Sequence, residues 1–450
     1  MIDLSGFKAY DIRGKVSSVL NTDFARNLGF AFAKEFNAKK VVIGYDARLS
    51  GPELYEALSD GLRKAGANVT GIGMCGTEEI YFASFAKDFD GGIMITGSHN
   101  PADENGFKIV RRGAVPVSGD SGLFAIRDQM AADQAIPNTP TGSFTEASFR
   151  EDYINHLLGY IQPEKLKPLK IIANPGNGCA GLVMQELAKH LPLDITIIQG
   201  NPDGKFPNGV PNPLLPENRK ATAKAVIENK ADLGIAWDGD FDRCFFFDEK
   251  GDFIEGYYLV GMIAEALLKS NPKAKIIHDP RLVWNTQSVV KNAGGTAIES
   301  KTGHAFIKER MRAENALYGG EMSAHHYFRD FAYCDSGMIT WLLVVQLLSG
   351  TGKTLSECVA QYQDAFPCSG EINSTVKDIP STLSAIEALY ANLPNAQVSK
   401  IDGLSIAFPD WRFNLRGSNT EPVLRLNVES NGNPALMAEK TDELLRHIRA

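Results

Sequence analysis

The pattern that most constrains the fold of this chain is a strand, helix and strand unit that occurs three times. The three copies cover strand 40–46, helix 52–65 and strand 67–72; strand 169–175, helix 181–190 and strand 194–198; strand 275–281, a helix ending at 292 and strand 295–298. An apolar run followed by an amphipathic helix and a second apolar run is typical of βαβ units in parallel or mixed sheets. The first strands lie about 100–130 residues apart, which is the length of one domain. The sequence therefore predicts three similar α/β domains in tandem.

The chain after residue 369 follows another pattern. It reads as a break at 379–381, a helix at 382–391, strands near 403–408, 411–414 and 425–429, and a final helix at 434–449. This order predicts a small α+β domain. A chain of 450 residues is too long for one core. We predict four domains, at 1–145, 146–250, 251–366 and 367–450.

Composition excludes several classes of protein. The net charge of −8 argues against a nucleic-acid partner. The first residues lack the basic and apolar segments of a signal peptide. The longest apolar run, about 338–348, is shorter than the ~20 residues of a membrane span and predicts a buried helix. The six cysteines have no CxxC spacing, so we expect free thiols in a cytoplasmic protein without a membrane partner.

Four loops carry residues suited to chemistry, and the first follows the apolar run 92–95. Its sequence, Thr96 to Pro101, places Ser98 and His99 side by side in a tight turn. A serine is a poor nucleophile without a base or a metal, and its neighbours do not match the GxSxG nucleophile elbow. A stably phosphorylated serine and a capping serine before Asn-Pro are the two interpretations.

The second loop places Asp238, Asp240 and Asp242 directly after the apolar run 233–237. Three carboxylates in five residues repel one another unless a cation neutralises them, and oxygen ligands favour Mg²⁺. A solvated acidic turn is the alternative. An EF-hand is disfavoured because Arg243 stands where that loop needs glycine, and a haloacid-dehalogenase phosphatase would carry Thr or Val in place of Asp242.

The third loop, residues 320–326, contains Glu321, Ser323 and His325. On an extended segment Glu321 and Ser323 share a face, where their side chains suit neighbouring sugar hydroxyls. His325 titrates near neutral pH and could act as an acid or a base. A His-Glu-His zinc site is the competing interpretation, but its spacing matches no familiar zinc motif.

The fourth loop, residues 416–420, combines a guanidinium with hydroxyl and amide groups in a turn. Its polar side chains are Arg416, Ser418, Asn419 and Thr420. Turn backbone N–H groups and an arginine suit a phosphate, whereas a plain β-turn is the alternative. Together the four loops indicate phosphoryl transfer on a sugar phosphate.

These loops, in this order, resemble those of the α-D-phosphohexomutase superfamily, the phosphoglucomutases and phosphomannomutases. The resemblance covers essentially the whole chain, and residues 319–338 closely resemble the enterobacterial type of phosphomannomutase. It implies four domains around a central cleft, the last of them TATA-binding-protein-like. It also implies a phosphoserine at Ser98 and Mg²⁺ held by Ser98, Asp238, Asp240 and Asp242.

The resemblance also implies roles for individual residues. Those near the reacting groups are Arg13, Ser98, His99, Lys108, Arg243 and His325. Those implied to bind the sugar are Arg243, Arg281, His304, Glu321, Ser323 and His325, and those implied to bind the distal phosphate are Arg416, Ser418, Asn419, Thr420 and Arg425. Arg13, Lys108 and His325 stay open as the general base. Two residues depart from the common pattern: Gly97 replaces alanine, and Arg281 stands where some relatives have lysine.

The activity implied is interconversion of mannose 6-phosphate and mannose 1-phosphate through a hexose 1,6-bisphosphate. Phosphoglucomutase or dual activity is the nearest alternative. A phosphatase with Asp238 as nucleophile and a non-catalytic sugar-phosphate-binding protein are more distant. Phosphoglucosamine mutase is disfavoured by Met322, where those relatives carry glutamine. The partners expected are small sugar phosphates, and the chain could act as a monomer or a homodimer.

Overall fold

A computed structural model describes residues 2–132, 135–417 and 423–450. The chain divides into two compact units. The first contains the residues up to Phe253 together with His325–Gly352, and the second contains Ile254–Ala324 and Lys353–Ala450.

The N-terminal part of the first unit is a seven-stranded mixed sheet covered by helices. Its strands are β1 (Ile12–Lys15), β2 (Lys40–Tyr45), β3 (Asn68–Met74), β4 (Gly91–Ile95), β5 (Glu104–Arg111), β6 (Val115–Pro116) and β7 (Phe144–Glu146). Its helices are α1 (Thr22–Glu35), α2 (Gly51–Lys64), α3 (Thr77–Ala86) and α4 (Leu123–Ala131). β2 pairs in parallel with β3 and β4, and β4 pairs antiparallel with β5. The apolar faces of α1 and α2 are buried in the core beside these strands.

The second α/β part has the same plan. Its strands are β8 (Lys170–Asn174), β9 (Asp194–Ile197), β10 (Leu233–Trp237), β11 (Cys244–Phe247) and β12 (Phe253–Ile254), and its helices are α5 (Arg150–Leu158), α6 (Ala180–Leu187) and α7 (Lys220–Asn229). β8 pairs in parallel with β9 and β10, and β10 pairs antiparallel with β11. The aspartate loop joins β10 to β11, which is the position that the serine loop takes between β4 and β5.

The second unit opens with a third set of parallel strands. Its elements are α8 (Gly256–Ser270), β13 (Lys275–His278), α9 (Trp284–Asn292), β14 (Thr296–Glu299), α10 (His304–Glu314) and β15 (Tyr318–Gly320). β13 pairs in parallel with β14 and β15, and the loop that begins at Glu321 follows β15. Each α/β domain thus carries its functional loop after the third strand of an equivalent set. The prediction of three similar α/β domains with mixed sheets is confirmed.

The segment after His325 returns to the first unit as the hairpin β16 (His326–Phe328) and β17 (Cys334–Asp335), followed by the helix α11 (Gly337–Thr351). Met338, Trp341, Leu342 and Val345 of this helix are fully buried, as the apolar run predicted. Among the described residues no single helix is long and apolar enough to cross a membrane, although α11 and α12 (Leu355–Ala365) together meet that criterion by length and composition alone.

The C-terminal domain is an antiparallel sheet with two helices, and the α+β prediction is confirmed. Its elements are β18 (Ile372–Thr375), α13 (Ile379–Tyr390), β19 (Gln397–Ser399), β20 (Leu404–Ala407), β21 (Trp411–Gly417), β22 (Val423–Ser430) and α14 (Pro434–Arg449), with strand order β18-β22-β21-β20-β19. The predicted break at 379–381 was wrong. Pro380 lies in the first turn of α13, where a missing N–H costs the helix nothing.

Candidate active site

Ser98 lies in the turn between β4 and β5, on backbone with a φ of 48°. This left-handed conformation is unfavourable for a residue with a side chain, so the surroundings must hold it. The Ser98 N–H donates to Thr96 Oγ1 at 2.8 Å. The Ser98 hydroxyl donates to Asp238 Oδ2 at 2.7 Å, which joins the serine loop to the aspartate loop.

Arg48 is the scaffold of the serine loop, and it has no role in the sequence prediction. Its side chain is fully buried and donates to the carbonyl oxygens of Ser98 at 3.0 Å and Glu104 at 2.8 Å, and also to those of Asn100 and Pro101. Asp46 Oδ2 accepts from Thr96 Oγ1 at 2.7 Å. One signal could have found this pair. Asp46 and Arg48 follow β2, whose carboxyl end meets that of its parallel partner β4.

The side chain of Arg48 leaves no room for a Cβ at Gly97. A Cβ at this position would lie 2.3 Å from both Arg48 Cζ and Arg48 Nε. The guanidinium cannot withdraw without losing hydrogen bonds to several carbonyl oxygens. The departure from alanine at residue 97 therefore follows from the packing of this chain.

We expect Gly97→Ala to lower the free energy of unfolding by about 1–3 kcal/mol, the usual cost of an overpacked core. Turnover should fall as well, because the clash displaces the turn that presents Ser98. Gly350→Ala is the matched control. A Cβ there meets nothing within 4 Å, and alanine favours its helix. Chemical denaturation would measure the free energy of unfolding of both variants. A Gly97→Ala protein as stable as the parent would contradict the clash with Arg48.

The three aspartates of the second loop are fully buried. Lys108 Nζ donates to Asp240 Oδ2 at 2.7 Å and also to Asp242 Oδ2. Arg243 donates to Asp238 Oδ2 through Nε at 3.0 Å and Nη2 at 2.8 Å. Lys108 and Arg243 thus offset part of the charge of three buried carboxylates.

The donor set fits a hard divalent cation. One carboxylate oxygen from each aspartate lies within 4.8 Å of the others. Asp240 Oδ1 is buried without a hydrogen-bond partner among the described residues, and buried oxygens of this kind call for a ligand. A second group of described residues that could hold a metal is Asp242, His325 and Asp335. The zinc interpretation of the third loop needs Glu321, which is in neither group.

The protonation states in this cluster differ strongly. Burial raises the pKa of Asp238 to about 6 despite the pull of Arg243. Burial disfavours the charge on Lys108, but Asp240 and Asp242 outweigh burial and raise its pKa. Burial and the adjacent Arg243 hold the pKa of His99 well below its usual value. Lys108 therefore keeps its proton in this arrangement, and His99 is a neutral imidazole.

The remaining candidates of the first unit lie around the same loops. His99 Nδ1 lies 3.2 Å from Ser98 Oγ and also bonds Arg243. His325 Nε2 lies 3.6 Å from Asp242 Oδ1. Arg13 donates to Asp11 at 2.8 Å and also bonds the carbonyl oxygen of Thr96.

Thr77, at the first residue of α3, fixes the middle of the aspartate loop. Its N–H donates to the carbonyl oxygen of Asp240 at 3.1 Å, and its hydroxyl bonds Asp240 Oδ2. The next residue, Glu78, accepts from Tyr153 at 2.6 Å and from the N–H of Met338 at 3.1 Å. Neither residue could be predicted as functional from the sequence, because a Thr-Glu pair at a helix start has the pattern of an ordinary cap.

The second unit brings other predicted residues together around Arg281. Glu321 and Ser323 lie in a turn closed by the Ala324 N–H to Glu321 carbonyl bond at 3.0 Å, so the prediction of an extended segment was wrong. Ala324, the last residue of the turn, has a φ of 71°. Arg281 Nη2 still meets both side chains, at 3.2 Å from Ser323 Oγ and 3.8 Å from Glu321 Oε1. His304 begins α10 directly after Gly303, whose N–H donates to Glu321 at 3.0 Å.

Arg416 and Arg425 lie opposite each other on β21 and β22. Both approach Glu371, Arg425 at 3.3 Å and Arg416 at 3.8 Å. Arg281 reaches the same carboxylate at 3.3 Å. The predicted phosphate-binding residues Ser418, Asn419 and Thr420 lie outside the described residues.

A buried serine bonded to one of three clustered aspartates, and a separate arginine cluster, define a phosphoryl-transfer type of site. All four phosphoglucomutase/phosphomannomutase domain profiles match this chain. They are the alpha/beta/alpha domain I at residues 5–136, domain II at 151–251, domain III at 255–365 and the C-terminal domain at 371–447. The chain belongs to the phosphoglucomutase/phosphomannomutase family.

Individual relatives match this chain over nearly its full length. A phosphomannomutase of Salmonella montevideo is 56% identical, covering 99% of both chains. A protein of Xanthomonas campestris pv. campestris named phosphohexose mutases is 55% identical, again covering 99% of both. The crystal structure of a phosphoglucomutase/phosphomannomutase family protein from Burkholderia thailandensis is 34% identical, with a TM-score of 0.88 over 100% of this chain and 98% of that one. The resemblance drawn from the four loops is confirmed.

Proposed function

We propose that this chain is a phosphomannomutase that interconverts mannose 6-phosphate and mannose 1-phosphate through a phosphorylated Ser98 and a hexose 1,6-bisphosphate. The single observation that carries the proposal is the Ser98 hydroxyl, 2.7 Å from Asp238 Oδ2, inside the three-aspartate cluster. Phosphomannomutase relatives at 56% and 55% identity support the substrate class. The proposal includes a cytoplasmic location, in keeping with the buried thiols of Cys75, Cys179 and Cys244.

In the half-reaction that loads the enzyme, Ser98 Oγ attacks a phosphoryl group of the bisphosphate. Its proton moves along the existing hydrogen bond to Asp238 Oδ2. The bond between the sugar oxygen and phosphorus breaks, and the released sugar oxygen takes up the proton that Ser98 gave to Asp238. The reverse half-reaction returns the phosphoryl group to the hydroxyl at the other end of the sugar.

Asp238, Asp240, Asp242 and Ser98 would hold Mg²⁺, which supplies charge stabilisation to a phosphoryl group when bound. Arg243 donates to Asp238 and keeps that carboxylate in place. Lys108 keeps its proton and so fits charge stabilisation better than general-base catalysis. Of the three candidates for deprotonating the sugar hydroxyl, this leaves Arg13 and His325, and His325 Nε2 lies 3.6 Å from Asp242 Oδ1.

The second unit is proposed to hold the rest of the substrate. Glu321 and Ser323 converge on Arg281 and present acceptors and donors for sugar hydroxyls. Arg416 and Arg425 would bind the phosphate that is not reacting. Arg416 Nε is buried and has no partner among the described residues, which is the state expected of a guanidinium whose anion comes with the substrate.

A coupled assay of mannose 1-phosphate against glucose 1-phosphate, with a hexose 1,6-bisphosphate activator, tests the proposal. The expected result is mutase activity with the higher kcat/KM for mannose 1-phosphate. A preference for glucose 1-phosphate would make the chain a phosphoglucomutase. Release of inorganic phosphate without isomerisation would favour the phosphatase alternative and overturn the proposal.

We expect Arg416→Ala to lower kcat/KM for the sugar monophosphate about 30–150-fold, because a charge-assisted contact of roughly 2–3 kcal/mol is lost. Transfer of phosphate to Ser98 from a small donor without a second phosphate should change much less. Arg449→Ala is the matched control, since it removes an arginine of the same domain that bonds Ser374 at 3.1 Å. An unchanged kcat/KM for Arg416→Ala would place the distal phosphate elsewhere.

A further inference from the structure

The arginine cluster of the second unit contains a carboxylate at its centre. Glu371 Oε2 lies 3.3 Å from Arg281 Nη1, and Glu371 Oε1 lies 3.3 Å from Arg425 Nη1. Arg416 Nη2 lies 3.8 Å from Glu371 Oε2, which is too far for a hydrogen bond. One anion of the chain thus serves three guanidinium groups.

Arg281 and Arg416 each have other carboxylates nearby, so Glu371 is not the single counter-charge of either arginine. Arg281 already bonds Asp279 at 2.7 Å and has Glu321 at 3.8 Å. Arg416 has Asp402 at 3.9 Å, and Asp402 accepts from the Thr302 N–H at 3.3 Å. Arg416 therefore lies near two carboxylates, Glu371 and Asp402, at distances too long for a hydrogen bond to either.

Two arginines of this cluster are buried, so their charges and hydrogen-bond donors need partners. Arg416 is 6% exposed and Arg281 is 2% exposed, and the Nε atoms of both have no hydrogen-bond partner in the part of the chain that the structure describes. Buried guanidinium donors without partners indicate that an anion from outside completes the site. That anion must share the arginines with Glu371.

We propose that Glu371 is an internal counter-anion of the phosphate site, which keeps the three guanidinium groups together without substrate and limits how tightly a substrate phosphate is retained. The inference rests on the proposed function, because the phosphate that it concerns is the non-reacting one. A mutase of the proposed kind must release this phosphate so that the bisphosphate can present its other end. A site with a competing carboxylate releases a dianion more readily than a purely cationic one.

Binding of mannose 6-phosphate, measured by calorimetry in the Ser98→Ala background, tests the inference without turnover. Glu371→Gln keeps the shape and one acceptor of the side chain but removes its charge. We expect it to bind mannose 6-phosphate on the order of ten-fold more tightly, since a unit charge about 6 Å from a dianion is worth about that factor even in water. Glu439→Gln is the matched control, because it removes an exposed charge of the same domain, and its affinity should change less than about two-fold.

Two further variants keep the test decisive. Arg416→Ala combined with Glu371→Gln should lose the gain if the gain arises in this cluster. Glu371→Ala removes the same carboxylate and should also tighten binding, which carries the test if Glu371→Gln does not fold.

Unchanged or weaker binding by a folded Glu371→Gln, while the Ser98→Ala parent binds, would overturn the counter-anion and leave the proposed function standing. Failure of the parent itself to bind mannose 6-phosphate would overturn both.

Discussion

Ser98→Ala is expected to lose at least ~10² in turnover, because the reaction loses its covalent intermediate. The stability of the protein should change little. The substitution removes one hydrogen bond to Asp238, worth about 1 kcal/mol, while Arg48 still holds the turn through backbone carbonyl oxygens. Steady-state kinetics and thermal denaturation on the same preparation separate the two effects.

Ser84→Ala is the control for Ser98→Ala. Ser84 is also a buried serine of the first unit, and its hydroxyl donates to a carbonyl oxygen of its own helix at 2.7 Å. Its removal should leave turnover within about two-fold. Ser98→Ala with full turnover would exclude a phosphoserine mechanism.

Asp240→Asn is expected to weaken Mg²⁺ binding at least ~10-fold and to lower turnover by about 10², since it removes ligand charge from a compact oxygen cage. Asp240 Oδ1 is a buried oxygen without a hydrogen-bond partner among the described residues, so this carboxylate has an open position for a cation. Calorimetric titration with Mg²⁺ gives a readout that is independent of activity.

Asp152→Asn is the control for Asp240→Asn. It removes the same charge from the first unit at a side chain that is 54% exposed and pairs with Lys87. Neither Mg²⁺ affinity nor turnover should change. If Asp240→Asn kept full activity at limiting Mg²⁺, the assignment of the cage would be wrong.

The fold was largely predictable from the sequence. The three buried strand and helix patterns have strong periodicity. β2 and β13 begin at the predicted residues, and β8 begins one residue after its predicted start. The four loops were identifiable because charged and hydroxyl residues cluster directly after apolar runs. What the sequence could not supply was the turn from Glu321 to Ala324, since a backbone turn has no signature in an apolar pattern.

The residues that support the site could not be predicted from the sequence, for another reason. Arg48, Thr77 and Glu371 act through partners that lie 50, 163 and 90 residues away along the chain, namely Ser98, Asp240 and Arg281. Each has the residue type of an ordinary surface charge or helix cap. Only tertiary contacts show that their side chains are enclosed and that their hydrogen bonds end on functional loops.

The proposed mechanism depends on a phosphoryl group carried by Ser98. Intact-mass spectrometry before and after incubation with a hexose 1,6-bisphosphate, followed by peptide mapping, measures this group. The expected result is one added phosphoryl group, stable to acid and located on Ser98. An acid-labile phosphoryl group on Asp238, or no phosphorylation of active protein, would contradict the phosphoserine mechanism.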